Sequence, residues 1–266
     1  MSLQVMINPN FYLYQILEHY KGRDIQTNSF NINFLKADLK KWAGTCYIEV
    51  INSGSYAKGT AISNSSDIDL LVSLKHDCNE NSGGLKSCYN SLYEWLSKSY
   101  SNVRKQNVSV RVKLNTLEID VTPARKLSGN TNDHSLYVSK KNSIKKTNIK
   151  KHISDISSSG RTNEIKLLKI WREINRIDFP SIYLEYLLVN KILINKSKKI
   201  ENLSDNLCHV FHELGKHQGN PLFSTLDDPA NSNNRLSDLL NENEKIEIIL
   251  KAEKASNEKY WENIYG

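Results

Sequence analysis

The sequence lacks long hydrophobic runs and contains few cysteines. None of its 266 residues belongs to an apolar stretch near the roughly 18–20 residues that cross a bilayer, and the N-terminus has no export signal. The four cysteines, Cys46, Cys78, Cys88 and Cys208, include no Cys-x-x-Cys pair. This spacing predicts neither a disulfide framework nor a zinc ribbon. We therefore expect a cytoplasmic protein that has no contact with a membrane.

Acidic residues are outnumbered by basic ones. The chain has 36 Lys and Arg against 29 Asp and Glu, which gives a formal charge of +7. A positive charge favours an anionic partner such as a nucleoside triphosphate or RNA, although it leaves the function open. The hydrophobic fraction of 39% is typical of a globular chain with a sizeable core.

Hydrophobic periodicity divides the chain into two parts. Residues from Glu164 onward follow helical spacing, and two more helical patterns precede the first strand. Strand patterns occupy Tyr47–Ile51, 68–72, Val108–Leu114 and Leu117–Val121, the last two as a hairpin with one wet face. We predict an α+β fold, with a sheet lobe at residues 1–155 and a helical lobe at 156–266. The polar segment 128–159 holds the boundary, and the glycine-containing segment 79–85 is predicted to be a loop.

Three aspartates carry the strongest chemical signal. Side chains alternate along a strand, so Asp67 and Asp69 point to the same side while Ile68 points into the core. Asp120 lies on the polar face of a later strand and supplies a third carboxylate if the two strands are neighbours. Oxygen ligands of this kind suit Mg²⁺, and two ions about 3.5–4 Å apart support phosphoryl transfer. Asp-x-Asp alone is common at exposed strand ends, so the residues around it determine whether it indicates a metal site.

That context is a glycine-serine turn upstream. Gly54 and Ser55 end a strand and start a short helix, where backbone N–H groups favour a phosphate and glycine permits close approach. Gly59 and Thr60 follow, and eleven residues separate Ser55 from Asp67. A pattern of this length is poorly explained by chance.

Together these motifs resemble the nucleotidyltransferases of the DNA polymerase β superfamily. Residues 51–62 (INSGSYAKGTAI) look especially like the bacterial relatives of cyclic GMP-AMP synthase and oligoadenylate synthetase, and residues 117–125 are similar to the strand that carries the third acid. The resemblance implies a two-lobed nucleotidyltransferase that uses two Mg²⁺ ions and nucleoside triphosphates, with ATP among them. It also implies synthesis of a cyclic or linear oligonucleotide second messenger in antiphage signalling, through a separate effector protein.

The resemblance extends into the second lobe. Residues 165–171 and 180–186 look like the helix pair from which a lysine and a serine reach the triphosphate, which gives those roles to Lys169 and Ser181. Residues 228–235 resemble the family's Asp-Pro loop. Without the resemblance, Lys169 reads as a solvated helix residue and Ser181 as a helix N-cap. Ile182 stands where the family often has a tyrosine that stacks on the donor base.

Several alternatives stay open. A terminal transferase acting on RNA, such as a tRNA 3′ end, or a toxin is compatible with the positive charge, and so is a non-catalytic nucleotide sensor. The lysines of residues 140–151 favour a solvated loop over an RNA-binding stripe. Cys208 and His212, with His209 and His217, allow a weak zinc hypothesis. Glu118 shares a face with Asp120 and is expected at the rim of the site.

Overall fold

The computed structural model describes residues 8–25, 29–63, 67–78, 83–129 and 131–266. The helices are α1 Pro9–His19, α2 Ser29–Ala43, α3 Gly54–Lys58, α4 Gly84–Ser99, α5 Ile149–Ser157, α6 Thr162–Asn175, α7 Ser181–Leu187, α8 Leu203–Leu214, α9 Glu242–Ser256 and α10 Glu262–Tyr265. The strands are β1 Tyr47–Ser53, β2 Ile68–Leu74, β3 Arg104–Lys105, β4 Val110–Leu114, β5 Leu117–Lys126, β6 His134–Val138, β7 Ser143–Thr147, β8 Asp227–Asp228 and β9 Asn231–Arg235. The predicted α+β class is confirmed.

A mixed seven-stranded sheet dominates the first half. Its main order is β1-β2-β5-β4-β3, and β6 pairs with β5 and with β7. Only β2 and β5 run parallel; the other described neighbours in this sheet are antiparallel. β5 lies at the centre because its ten residues pair with β2 on one edge and with β4, then β6, on the other. This position carries Asp120 into the middle of the sheet.

The β4–β5 hairpin fixes the register of the central strands. Leu114 pairs with Leu117, and Asn115 in the turn adopts a φ of 54°, the left-handed conformation that asparagine tolerates in tight turns. Val110, Val112, Ile119 and Val121 alternate into the core, and all four are fully buried. The polar residues between them therefore share the opposite face.

Three apolar clusters form the core. One fills the space between α2, α4 and the sheet, and a small one covers the other face of the sheet around Leu71 and Leu136. The largest lies among the C-terminal helices and includes Trp171 and Phe211, whose rings meet edge to face at 5.3 Å between centroids. Burial of the apolar side chains in this cluster stabilises the helical half.

Two helices connect the halves. α1 packs with the C-terminal helices, because Leu13 and Ile16 belong to the large cluster. α5 places Ile156 in that cluster while Ile149 and Ile153 pack on the sheet cluster. The division at residue 155 remains a proposal, since the N-terminal helix shares the core of the later helices.

The lysine-rich segment is more ordered than its composition suggested. The lysines of residues 140–151 are solvated as expected, but the expectation of a loop is wrong, because β7 and the start of α5 occupy most of this segment. β7 is held by its ladder to β6, from His134↔Thr147 to Val138↔Ser143. Residues 79–82 of the predicted loop at 79–85 lie outside the described residues, and α4 begins at Gly84.

The expectation of no disulfide is also wrong, since Cys46 and Cys78 are bonded to each other. Cys46 precedes β1 and Cys78 follows β2, and the antiparallel pair Tyr47↔Leu74 brings these two ends together. Cys88 and Cys208 are free thiols. Within the described part of the chain, no helix has the length and apolar character to cross a membrane.

Candidate active site

Adjacent strands place the three predicted aspartates together. The parallel register of β2 and β5 pairs Asp69 with Asp120, and the antiparallel register of β1 and β2 pairs Ser53 with Asp69. Asp67 lies two residues before Asp69, at the entrance to β2. Asp120 was expected to supply a third carboxylate only if its strand lies next to the strand of Asp69. The two strands are neighbours. The three carboxylates lie together at the central strands of the sheet, beside the turn that follows β1.

Gly54 lies directly against one of these carboxylates. A Cβ atom at this position would lie 1.7 Å from Oδ2 of Asp69, and the backbone φ of +65° also disfavours other residues. Ser55, the second residue of α3, is half-buried and its carbonyl accepts a hydrogen bond from the Thr60 amide at 2.9 Å. Glycine is therefore required at position 54 because any side chain there would clash with the Asp69 carboxylate.

Burial and mutual repulsion perturb the acids. Burial raises the pKa of Asp69 to about 6, and the charges of Asp120 and Asp67 push it the same way, against Lys58 and Arg111. The pKa of Asp67 is also raised, mainly by burial, although Arg111 opposes the shift. Raised pKa values in a cluster of carboxylates are typical of sites that bind cations or transfer protons.

Arg111 is the site residue that sequence reasoning missed. It lies on β4 directly opposite Asp120, and its guanidinium contacts both Asp120 oxygens, with Nε to Oδ1 at 2.7 Å and Nη2 to Oδ2 at 2.6 Å. Nη2 also donates to Asp67 Oδ2 at 2.6 Å, and Nη1 donates to Glu118 Oε2 at 2.6 Å. Hydrogen bonding to Asp120 raises the pKa of Arg111 further above its ordinary value.

The donor set fits a divalent cation. Carboxylate oxygens are the ligands that Mg²⁺ prefers, and those of Asp67 and Asp120 already surround one cationic group. Within the described ranges, no three His, Cys, Asp or Glu side chains are already arranged to hold a metal ion. Asp67, Asp69 and Asp120 are the residues that would hold it.

Lys169 is buried in an ion-pair network. Its ammonium donates to Glu185 Oε1 at 2.7 Å and to Thr60 Oγ1 at 2.9 Å, and Lys58 donates to Glu185 Oε2 at 2.7 Å. Burial alone would raise the pKa of Glu185, but Lys169 and Lys58 outweigh it and the pKa is lowered. The network joins α6 and α7 to the end of α3, so the reading of Lys169 as a solvated residue is wrong.

Ser181 is the first residue of α7, whose N-cap is Pro180. The alternative of Ser181 as the N-cap is therefore wrong. Its Oγ accepts a hydrogen bond from Nη1 of Arg172 at 2.9 Å, and the same Nη1 donates to the Phe179 carbonyl at 2.9 Å. Arg172 thus positions the serine at the start of the helix.

Three other predicted features have structural partners. Asp228, in the Asp-Pro segment, is buried and pairs with His152 of α5 at 2.7 Å, which ties this segment to the linking helix. His217 of the zinc hypothesis pairs with Glu253 at 3.1 Å. Glu118 lies at the rim, with about a third of its side chain exposed, and contacts both Arg111 and Arg104.

Comparison with known proteins decides the family. Residues 21–159 match the Second Messenger Oligonucleotide or Dinucleotide Synthetase domain, SMODS, over more than half of the chain. The chain belongs to the SMODS family. It is therefore a nucleotidyltransferase, from a family that synthesises oligonucleotide or dinucleotide second messengers, and the predicted resemblance is confirmed. No curated protein matches the sequence.

Solved structures share the fold of this chain over 96–100% of its length. A complex of CdnC with HORMA-deltaN from E. coli MS115-1 is 21% identical, with a TM-score of 0.74 over 100% of this chain and 98% of that one. The same CdnC with ATP is 22% identical, with a TM-score of 0.75 over 97% and 98%. The Cid1 poly(U) polymerase mutant bound to MgATP is 15% identical, with a TM-score of 0.68 over 96% and 98%.

Replacement of Gly54 with Ala tests the contact with Asp69. We expect activity to fall by about a hundredfold, because displacement of a catalytic group by about 1 Å costs that much. Gly44→Ala is the matched control: Gly44 also has a positive φ, +53°, but nothing lies within 4 Å of its added Cβ. Turnover and thermal unfolding of both variants provide the measurement. Equal losses of activity would contradict the role assigned to Gly54.

The raised pKa of Asp69 predicts a pH-dependent stability. Between about pH 4 and pH 6 the folded state keeps a proton that the unfolded state has lost, so the free energy of unfolding falls as pH rises through this window. Asn at position 69 cannot titrate. In EDTA, we expect Asp69→Asn to gain stability over the wild type from pH 4 to 6, by about 1.4 kcal/mol per unit of pKa difference. A constant difference across this range in denaturant unfolding would contradict the shift.

Removal of the negative charge of Glu185 is predicted to lower the stability of the fold strongly. Glu185→Gln leaves two lysine ammonium groups without a carboxylate, and we expect the free energy of unfolding to fall by about 3–5 kcal/mol. Glu173→Gln is the control, because Glu173 also forms an ion pair, with Arg172, but is 36% exposed, against 1% for Glu185. Urea denaturation measures both, and a loss below about 1 kcal/mol for Glu185→Gln would be inconsistent with a buried ion pair.

Proposed function

We propose that this SMODS-family chain joins nucleoside triphosphates, with ATP among them, into a cyclic or linear oligonucleotide second messenger. Asp67, Asp69 and Asp120 hold two Mg²⁺ ions in this proposal. The observation that carries it is the register of β1, β2 and β5, which brings these carboxylates together beside Gly54. This arrangement is suited to a reaction in which negative charge is concentrated on transferring phosphates.

The reaction is attack by a ribose hydroxyl on an α-phosphorus. The hydroxyl gives up its proton to solvent water, a new O–P bond forms, and the bond to pyrophosphate breaks. Bound Mg²⁺ supplies charge neutralisation on the phosphates and activation of the hydroxyl. Gly54 and Ser55 leave the backbone open to the triphosphate beside Asp69. Lys169 and Ser181 are proposed to orient the nucleotide from the helical side, where Glu185 and Arg172 hold them.

The biological setting is proposed from the family resemblance. We place the chain in antiphage signalling, in which a separate effector protein responds to its product in the cytoplasm. Because the similar CdnC of E. coli MS115-1 forms a complex with HORMA-deltaN, we also propose that a protein partner binds this chain.

RNA terminal transfer is the second candidate function. Two observations favour it: the net charge of +7 and the fold shared with the Cid1 poly(U) polymerase. An RNA substrate would contact several lysines and arginines, so its binding should weaken steeply with salt because counterions are released. A small oligonucleotide product needs no such extended contact.

Product analysis separates the two functions. Purified protein is incubated with Mg²⁺ and four labelled ribonucleoside triphosphates, with and without tRNA, and then treated with phosphatase. We expect a small phosphatase-resistant product without RNA. Asp67→Asn with Asp69→Asn, the control, should lower the yield by more than about a hundredfold, since loss of even an outer contact to a metal ligand costs 10–100-fold.

Other outcomes would change the assignment. Label that appears only on tRNA would establish terminal transfer, and a flat dependence of RNA binding on salt would argue against it. Full activity of the double aspartate variant would contradict the assignment of these residues. The same assay repeated with Asp120→Asn tests the third carboxylate independently, because that residue lies on a different strand.

A further inference from the structure

Arg111 occupies the centre of the carboxylate cluster. Its guanidinium makes hydrogen bonds of 2.6–2.7 Å to Asp120, Asp67 and Glu118, which engages four carboxylate oxygens with one cation. Only 18% of the Arg111 side chain is exposed, so solvent screens these contacts weakly. Charge-assisted, forked contacts of this kind are among the strongest hydrogen bonds in proteins.

A divalent ion and this guanidinium require the same atoms. Both oxygens of Asp120 and Oδ2 of Asp67 accept hydrogen bonds from Arg111. Mg²⁺ binds carboxylate oxygens at about 2.0–2.1 Å in a nearly octahedral shell, so it competes with the N–H donors of Arg111 for the lone pairs of these oxygens. Two cations so close together would also repel each other.

We propose that Arg111 is a built-in counter-ion that competes with the divalent ion for Asp67 and Asp120. It holds the two carboxylates together and releases its contacts with Asp67 and Asp120 when an ion binds. Arg111 thereby sets the ion concentration at which the site fills. This inference rests on the proposed metal site, and it makes Arg111 a positioning residue.

Glu118 gives the displaced guanidinium a partner. The contact from Nη1 of Arg111 to Oε2 of Glu118 involves none of the three proposed metal ligands, so it can persist when the other contacts break. Glu118 is about one-third exposed and lies on β5 two residues from Asp120, on the same face. A short movement of Arg111 toward the rim would therefore keep its charge paired.

Arg104 provides a matched control. It pairs with Arg111 across β3 and β4, and its Nη2 lies 3.3 Å from Oε2 of Glu118. Its side chain is 58% exposed, so it contacts Glu118 from the solvent side. Removal of Arg104 changes the net charge by the same amount as removal of Arg111. A difference between the two variants then reports the contacts with Asp67 and Asp120, beyond a general change of charge.

The test is direct binding of Mn²⁺, the probe ion, without nucleotide. Arg111→Gln is expected to lower the Kd for Mn²⁺ by about tenfold, or about 1.4 kcal/mol, because the ion no longer displaces a guanidinium. Arg104→Gln should bind like the wild type. In EDTA, Arg111→Gln should also melt at a lower temperature, and Mn²⁺ should raise its Tm more than that of the wild type.

A second variant provides the test if Arg111→Gln does not fold. Arg111→Lys keeps the charge but loses the planar fork, and an intermediate Kd is expected. If Arg111→Gln does not fold, the lysine variant decides: a Kd equal to or weaker than that of the wild type overturns the inference. The same result for a folded Arg111→Gln overturns it as well.

The proposed metal site is tested separately by Asp67→Asn. Binding of Mn²⁺ that is lost in this variant but unchanged in Arg111→Gln would contradict only the counter-ion inference. If Mn²⁺ binds neither the wild type nor either Arg111 variant, the metal site itself fails, and the counter-ion inference fails with it. Tighter binding in Arg111→Gln together with loss in Asp67→Asn supports both.

Discussion

The site depends on the parallel pairing of β2 with β5. This single register places Asp69 beside Asp120, and the turn after β1 then brings Gly54 against Asp69. Carboxylates held so close repel one another, and burial raises the pKa of Asp69 to about 6. Arg111 and Lys58 offset part of that cost. The carboxylates that suit cation binding therefore also need nearby positive charge to offset their repulsion.

Polar contacts connect the helical half to the rest of the chain, and two of them are buried ion pairs. Glu185 of α7 binds Lys169 of α6 and Lys58 of α3, so the short helix after Gly54 is anchored to the C-terminal helices. His152 and Asp228 form the second connection. Buried ion pairs contribute little net stability, but loss of one partner is costly. They fix how the helices lie against the turn beside Asp69.

Much of the fold and the aspartate cluster followed from the sequence, because alternation along β2, β4 and β5 is a local signal. Arg111 was missed although the hairpin pair Leu114↔Leu117 fixes its position opposite Asp120. The bond between Cys46 and Cys78 depends on the β1–β2 register across a long connection, which composition does not reveal. Lys169 pairs with Glu185 on another helix, and helical periodicity does not reveal such a partner, so this lysine was predicted to be solvated.

The most direct test of the account is a crystal structure grown with Mn²⁺ and a non-hydrolysable ATP analogue, with anomalous diffraction collected to locate the ions. The account predicts two anomalous peaks within coordination distance of the Asp67, Asp69 and Asp120 carboxylates, with the triphosphate beside Gly54 and Ser55. Anomalous peaks only at other residues, or a triphosphate bound away from the turn after β1, would contradict it.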